Sequence, residues 1–307
     1  MASLHEITTE EVASQLDRGG PVVALESTLI AQGLPWPDNL ETARESEEAV
    51  RSAGAIPATI AVLDGRIRVG LSASELERVA RSTHFLKAGR RDLATALARS
   101  LDAATTVSAT LWIARTRGIG VMATGGLGGV HREAATTFDV SNDLDELGSA
   151  DGALVVCSGV KSILDVPATL DAMETRGVCV VGYRTDELPG FLTRSSGLPL
   201  ESRVESPAEA ADLVRAHRAL GLPGAIVLTQ PVPEAVALDQ AVMDAALLTA
   251  LEEARAERVT GKAVTPFLLG RIRHATAGNA LVANRALIVS NAGLAGEAAR
   301  ELAANTR

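Results

Sequence analysis

Ala153-Leu154-Val155-Val156-Cys157 leads into Ser158-Gly159-Val160-Lys161, a helical pattern from Ser162 to Arg176, Gly177, and then Val178-Cys179-Val180-Val181. This stretch decides the fold. Two short, wholly apolar runs separated by a helical pattern read as a βαβ unit, because a strand covered on both faces needs apolar side chains at successive positions. Gly177 suits the left-handed backbone that ends a helix. Pro167 is expected to disturb the helix early in its course, since it lacks an amide hydrogen.

The alternation continues in both directions. Toward the C-terminus come a helix from Ser206 to Leu220 and a strand from Ala225 to Leu228. After Pro231 and Pro233 the pattern is helical through Gln240 to Arg258, Pro266 to Thr276 and Ala280 to Ala304. Toward the N-terminus lie a strand from Ile119 to Ala123 and a helix from Thr106 to Arg117. Ala58 to Leu63 and Arg66 to Val69 flank Asp64-Gly65, a pair that supplies the positive φ angles of a tight hairpin turn. Leu40 to Ser52 is helical and Pro21 to Leu25 is a strand. Thr8 with Glu11, and Ser72 with Glu75, have the spacing of capping boxes. The predicted architecture is α/β: three layers, α/β/α, with a largely parallel central sheet and a helical C-terminal region. No linker, repeat or low-complexity stretch interrupts it, so residues 1–307 read as a single domain.

Composition narrows the function. Hydrophobic residues are 47% but aromatics only 2%, so the core is built from Ala, Val, Leu and Ile, and stacking platforms for single-stranded nucleic acid are disfavoured. The net charge of −9 repels a polyphosphate backbone, which argues against a nucleic acid polymer as partner. A single small phosphate needs only a few local cations. No apolar run reaches the roughly 18 residues of a membrane span. Residues 1–16 carry Glu6, Glu10 and Glu11 without an apolar h-region, so no signal peptide is expected. Cys157 and Cys179 lie in strand-like runs and read as reduced, buried thiols of a cytoplasmic protein.

Polar clusters fall where strands end, which is where ligands gather in an open α/β sheet. Glu26-Ser27-Thr28 follows the first strand, and its carboxylate either caps the next helix or serves chemistry. Lys87-Ala88-Gly89-Arg90-Arg91-Asp92 groups three cations around a glycine, either a phosphate cradle or a solvated turn. Thr124-Gly125-Gly126-Leu127-Gly128-Gly129-Val130-His131 suits a loop brought close to a ligand, yet lacks the spacing of a dinucleotide fingerprint, and no Walker A loop exists. Asp139-Val140-Ser141-Asn142-Asp143 could hold a hard cation through oxygen and water, or cap a helix starting near Leu144. Lys161 stands where a strand is expected to turn directly into a helix. There the helix dipole and desolvation would both disfavour its charged form, as a nucleophilic amine requires, although a surface lysine is the plainer alternative.

Taken together and in this order, Ala24-Leu25-Glu26-Ser27-Thr28, Lys87 with Arg90-Arg91-Asp92, Thr124 through His131, Thr137-Phe138-Asp139, Ser158-Gly159-Val160-Lys161-Ser162-Ile163-Leu164-Asp165, and Gly261-Lys262 with Thr265-Pro266-Phe267-Leu268-Leu269 resemble the pseudouridine-5′-phosphate glycosidase family, which includes the indigoidine-cluster homologues. The resemblance implies an α/β/α homotrimer with one divalent metal, usually Mn²⁺, per site. It implies Lys161 as covalent nucleophile and Glu26 as proton donor. It places Lys87, Val107, Ser141, Asn142 and Asp143 at the substrate, Asp139 at the metal, and His131 and Asn284 at the phosphate end. Ala88-Gly89 and Asn142 depart mildly from what is common at their positions.

The implied reaction is reversible cleavage of the C1′–C5 bond of pseudouridine 5′-phosphate to uracil and ribose 5-phosphate through a ring-opened lysine imine. The alternatives are another Schiff-base phosphosugar lyase or aldolase, which would keep Lys161 but release another product, and a non-catalytic sugar-phosphate binder, which would need neither Lys161 nor Glu26.

Overall fold

Strand β8 (Leu154–Cys157) lies near the middle of the sheet that the βαβ reading requires. The computed structural model describes residues 6–259, 261 and 264–304. Among these, the other strands are β1 (Glu6–Thr8), β2 (Val22–Glu26), β3 (Ile56–Leu63), β4 (Arg66–Val69), β5 (Leu86–Ala88), β6 (Ala103–Thr105), β7 (Val121–Ala123), β9 (Cys179–Tyr183), β10 (Arg203–Val204) and β11 (Ile226–Thr229). They form one sheet in the order β1-β4-β3-β2-β7-β8-β11-β9-β10, with β6 added to β3 and β5 to β6. All pairings are parallel except β3 with β4 and β3 with β6.

The helices are α1 (Glu10–Asp17), α2 (Asp38–Ser52), α3 (Ala73–Arg81), α4 (Leu93–Ala98), α5 (Val107–Thr116), α6 (Ala134–Thr137), α7 (Asp143–Leu147), α8 (Val166–Thr175), α9 (Pro207–Ala219), α10 (Gln240–Ala256), α11 (Val264–Ala275) and α12 (Asn279–Ala304). Three layers follow from the period-two alternation of the strands. Ala24, Val155, Cys157 and Val227 pack with Leu111 and Ile113 of α5, Leu144 of α7 and Met173 of α8. Their sequence neighbours Val23, Leu25, Leu154, Val156, Ile226 and Leu228 pack on the other face with Val50 of α2, Val214 of α9 and Ala295 and Ala298 of α12. Each fully buried aliphatic side chain contributes about 1.5–3 kcal/mol, so the aromatic-poor core rests on the number of such residues.

Most sequence expectations hold within a residue or two. Asp64 and Gly65 turn the β3–β4 hairpin with φ of 52° and 70°. Ser72 forms its capping box, Glu75 N donating to Ser72 Oγ at 3.3 Å and Ser72 N to Glu75 Oε2 at 2.9 Å. Among the described residues, no helix is long and apolar enough to cross a membrane.

Several expectations are corrected. Thr8 and Glu11 make no capping box. Thr8 pairs with Val69 in β1–β4, and Thr9 becomes the N-cap without a side-chain bond, its hydroxyl turned onto Gly70. Helix α8 begins at Val166, not Ser162, because Asp165 accepts Ala168 N at 3.1 Å and caps it there. Pro167 therefore lies in the first turn, where its missing amide hydrogen costs nothing. Cys157 is buried but Cys179 is only half-buried, and both are unpaired thiols. The short strands β1, β5, β6 and β10 carry too few residues for periodicity to reveal them.

Candidate active site

Parallel strands present their carboxyl ends on the same side of the sheet, and β2, β7 and β8 are neighbours. Their ends therefore bring together Glu26, Thr124 and Ser158. Glu26 closes β2 and is 5% exposed. Thr124 follows β7, and its hydroxyl donates to Glu26 Oε1. Burial pushes the Glu26 carboxyl above its ordinary value. Lys161, the Thr124 hydroxyl and Lys87 pull it down, in that order, and the Asp143 carboxylate adds to the upward push. Desolvation prevails, which favours the protonated acid, the form that can give a proton away. Lys161, Lys87 and Asp143 thus all act on this one carboxyl.

Lys161 is held by its backbone. Beyond β7 and β8 the chain runs on as two loops laced by main-chain hydrogen bonds. Ser158 N donates to Gly125 O at 2.9 Å, Leu127 N to Gly159 O at 3.0 Å, Lys161 N to Leu127 O at 3.1 Å, and Asp165 N to Val130 O at 2.9 Å. The lysine thus stands in a loop ahead of α8 and not at its first turn, outside the reach of the helix dipole expected from sequence.

Asp143 is a clamp. Its Oδ1 accepts Ser108 N at 2.9 Å in the first turn of α5, and its Oδ2 accepts Gly128 N at 3.0 Å in the glycine-rich loop. Ser141 Oγ accepts Asp143 N at 3.2 Å. Asn142 keeps its Oδ1 buried without a partner among the described residues, and so does Ser162 its hydroxyl. Val107 opens α5 with its side chain in the core, so only its backbone can meet a ligand. Lys87 lies in β5, half-buried.

The glycine-rich loop is packed from within. A Cβ on Gly126 would lie 2.7 Å from the Phe191 ring, and one on Gly128 would lie 2.6 Å from Asp143 Oδ2. These glycines admit the protein's own side chains, where the sequence suggested approach to a ligand. Asn284 of α12 faces the same loop, its Oδ1 3.6 Å from the position of a Cβ on Gly125 and without a partner among the described residues. It also lines a cavity of about 240 Å³ with Gln32, Leu192 and Arg273. Arg90 leaves the candidate phosphate cradle: its Nη1 bonds buried Glu146 at 2.7 Å, and Arg115 holds the other oxygen at 2.9 Å. Arg91 is exposed beside Asp92. Lys262 lies outside the described residues.

Asp139 sits on the adjoining loop with His131, Nδ1 to Oδ2 at 3.8 Å, and His131 N donates to Asp139 O at 3.1 Å. Among the described residues no three His, Cys, Asp or Glu side chains gather around one point. The pair fits only a cation that keeps most of its shell as water, a habit of Mg²⁺ and, among oxygen-seeking ions, compatible with Mn²⁺.

Sequence reading missed two contacts, Thr124 to Glu26 and Asn291 Nδ2 to Thr124 O at 2.9 Å. Asn291 lies on the buried stripe of α12 with Asn284, Leu287, Ile288 and Ala295. Two amides on an otherwise apolar stripe were the available signal.

Comparison with known proteins places the chain in a family. The model of the indigoidine synthase A like proteins matches residues 11–301. The pseudouridine-5′-phosphate glycosidase of Caldanaerobacter subterraneus subsp. tengcongensis is 50% identical over 294 residues, 96% of this chain and 95% of that protein. That of Streptomyces griseus is 54% identical over 290 residues, 94% of this chain and 90% of that protein. The crystal structure of the prealnumycin C-glycosynthase AlnA in complex with ribulose 5-phosphate superposes with a TM-score of 0.90 at 40% identity, covering 98% of each chain. An indigoidine synthase A (IdgA)-like protein from Thermotoga maritima gives 0.88 at 38% identity, covering 97% of each. The chain belongs to the indigoidine synthase A like proteins, the pseudouridine-5′-phosphate glycosidase family that its motifs resemble.

Proposed function

We propose that the protein is a pseudouridine-5′-phosphate glycosidase, with Lys161 as nucleophile and Glu26 as acid. The observation that carries this reading is a buried carboxyl, pushed up by desolvation, with two lysines acting on it at the strand ends, in a chain half identical to glycosidases of that name.

Carbon is a poor leaving group, so a lysine amine is the group suited to the reaction. The Lys161 amine attacks C1′, the pair of the C1′–O4′ bond leaves with O4′, and Glu26 gives O4′ its proton. The Glu26 carboxylate then takes the surplus proton of the new C–N bond and relays it to uracil C5. The C1′–C5 pair returns to the base as its C5–C6 double bond, and the nitrogen lone pair forms the imine. Water hydrolyses the imine to ribose 5-phosphate and frees Lys161, so one water is consumed per turnover.

Lys87, His131 and Asn284 anchor the phosphate and turn its binding into placement of C1′. Ser141, Asn142, Asp143 and the backbone of Val107 face the substrate. The unpartnered oxygen of Asn142 supports this, while the clamp bonds of Asp143 give that residue a second, structural task. Asp139, with water and with His131 beside it, holds a divalent cation, Mn²⁺. When bound, it supplies positive charge and ordered water. The free thiols Cys157 and Cys179 support a cytoplasmic setting. For the homotrimer, light scattering should report three times 31.8 kDa.

The deciding experiment is release of uracil from pseudouridine 5′-phosphate, followed by chromatography. Release of a different product would favour another Schiff-base phosphosugar enzyme, and binding without turnover would favour a sugar-phosphate binder.

A further inference from the structure

Asn291 is 0% exposed, in the middle of α12. Its Nδ2 donates to Thr124 O at 2.9 Å, to Ser158 Oγ at 3.1 Å and, at the limit of contact, to Gly125 O at 3.5 Å. Its Oδ1 lies 3.3 Å from Ser158 Oγ, which can donate to it. Backbone carbonyls only accept, so the amide cannot flip without setting oxygen against oxygen. One side chain from the helical layer therefore ties the ends of two adjacent strands. One end carries Thr124, whose hydroxyl donates to Glu26, and the other begins the loop that carries Lys161. Substrate contact is not needed for this bridge, and the helix has no apolar reason to place an amide there. A buried amide satisfied only by these groups specifies their relative position.

We propose that Asn291 is a positioning residue: by holding the strand end that carries Thr124, it fixes the hydrogen bond from Thr124 to Glu26 and so the aim of the acid relative to Lys161. The inference rests on the glycosidase reading for its kinetic consequence, but not for its structural one.

The test has an arm that needs no substrate. The Glu26 carboxyl is titrated by infrared difference spectroscopy, its band identified by loss in Glu26→Gln. The charged groups acting on this carboxyl, Lys161, Lys87 and Asp143, are left intact. A donor to the ionised form lowers its proton affinity. Thr124→Val should raise that affinity roughly ten- to a hundred-fold, and Thr124→Ser should restore it. Asn291→Ala and the near-isosteric, uncharged Asn291→Leu should move it in the same direction, by about threefold or more, and lower kcat about tenfold or more with KM changed less than about threefold. In Thr124→Val/Asn291→Ala the kcat loss should not exceed that of Thr124→Val alone, because both act through one bond. Measurements are taken where circular dichroism shows each variant folded.

A lowered Tm with the carboxyl titration and kcat unchanged would overturn the proposal, as would losses that multiply in full. Failure of both Asn291 variants to fold would assign the residue to structure alone and reject it. If the wild type released no uracil, the glycosidase reading would fail while the carboxyl titration still decided the positioning role.

Discussion

Replacing Glu26 by Gln separates the cost of a buried carboxyl from its use. In the folded protein the carboxyl holds its proton above the ordinary value of 4.5, chiefly because burial penalises the anion. Between that value and the folded pKa, the native state binds more protons than the unfolded chain, so stability falls as pH rises. Below the window both states are protonated and the penalty vanishes; above it the penalty is full and constant. The slope approaches about −1.4 kcal/mol per pH unit for one whole proton of difference. Glu26→Gln cannot ionise and should lose that slope.

Urea unfolding of both proteins from pH 4.5 upward measures it. The absolute stability gap at one pH mixes in the new amide, whose unpaired donor could cost about 1–3 kcal/mol. The divergence with pH isolates the carboxyl. In the uracil-release assay the variant should lose about 10²–10⁴-fold in kcat, the usual worth of a general acid. Wild-type activity for the cleavage direction should fall as pH rises through the folded pKa. Stability curves that stay parallel across the range would refute the buried-acid argument, whatever the kinetics showed.

Borohydride added during turnover with ribose 5-phosphate should leave a pentose-phosphate mass on the peptide containing Lys161, and Lys161→Ala should lose at least about 10³-fold in kcat. An adduct on Lys87 or Lys262 would reject the assignment. With Arg90 committed to Glu146, the proposed phosphate anchoring falls mainly to Lys87. Lys87→Ala should cost about ten- to a hundred-fold in kcat/KM for pseudouridine 5′-phosphate and far less for free pseudouridine. Equal turnover of both substrates by the wild type would sink the anchor. Chelation should abolish activity and Mn²⁺ restore it; Asp139→Asn should weaken metal retention, read by elemental analysis of the dialysed protein, without lowering Tm. A chelated enzyme with full activity would remove Asp139 from the chemistry.

The sheet was legible where strands are long or wholly apolar: β3, β8 and β11 announce themselves, and the Asp64-Gly65 turn fixes the hairpin between β3 and β4. The start of α8 was misplaced because Ser162 and Asp165 are both good caps, and only the lacing of residues 157–165 to the glycine-rich loop decides between them. Glu26 and Lys161 were legible as polar residues at strand ends. The bond between Thr124 and Glu26, and the bridge made by Asn291, were not. They join residues 98 and 167 positions apart, a relation set by topology and invisible to local pattern.

The laced loops also bear on how such a protein changes over time. Lys161 takes its place from main-chain bonds, which every residue type except proline can make. Side chains of the two loops that make no contact of their own can therefore drift, and with them the shape offered to a ligand, while Lys161 stays where it is. Gly159 is an exception, with φ of 85° and a would-be Cβ only 2.3 Å from Pro189 O. A lineage, or a designer building a mutant library, is free to vary those positions, but not Gly159, Gly126 or the Ser158 that Asn291 bonds.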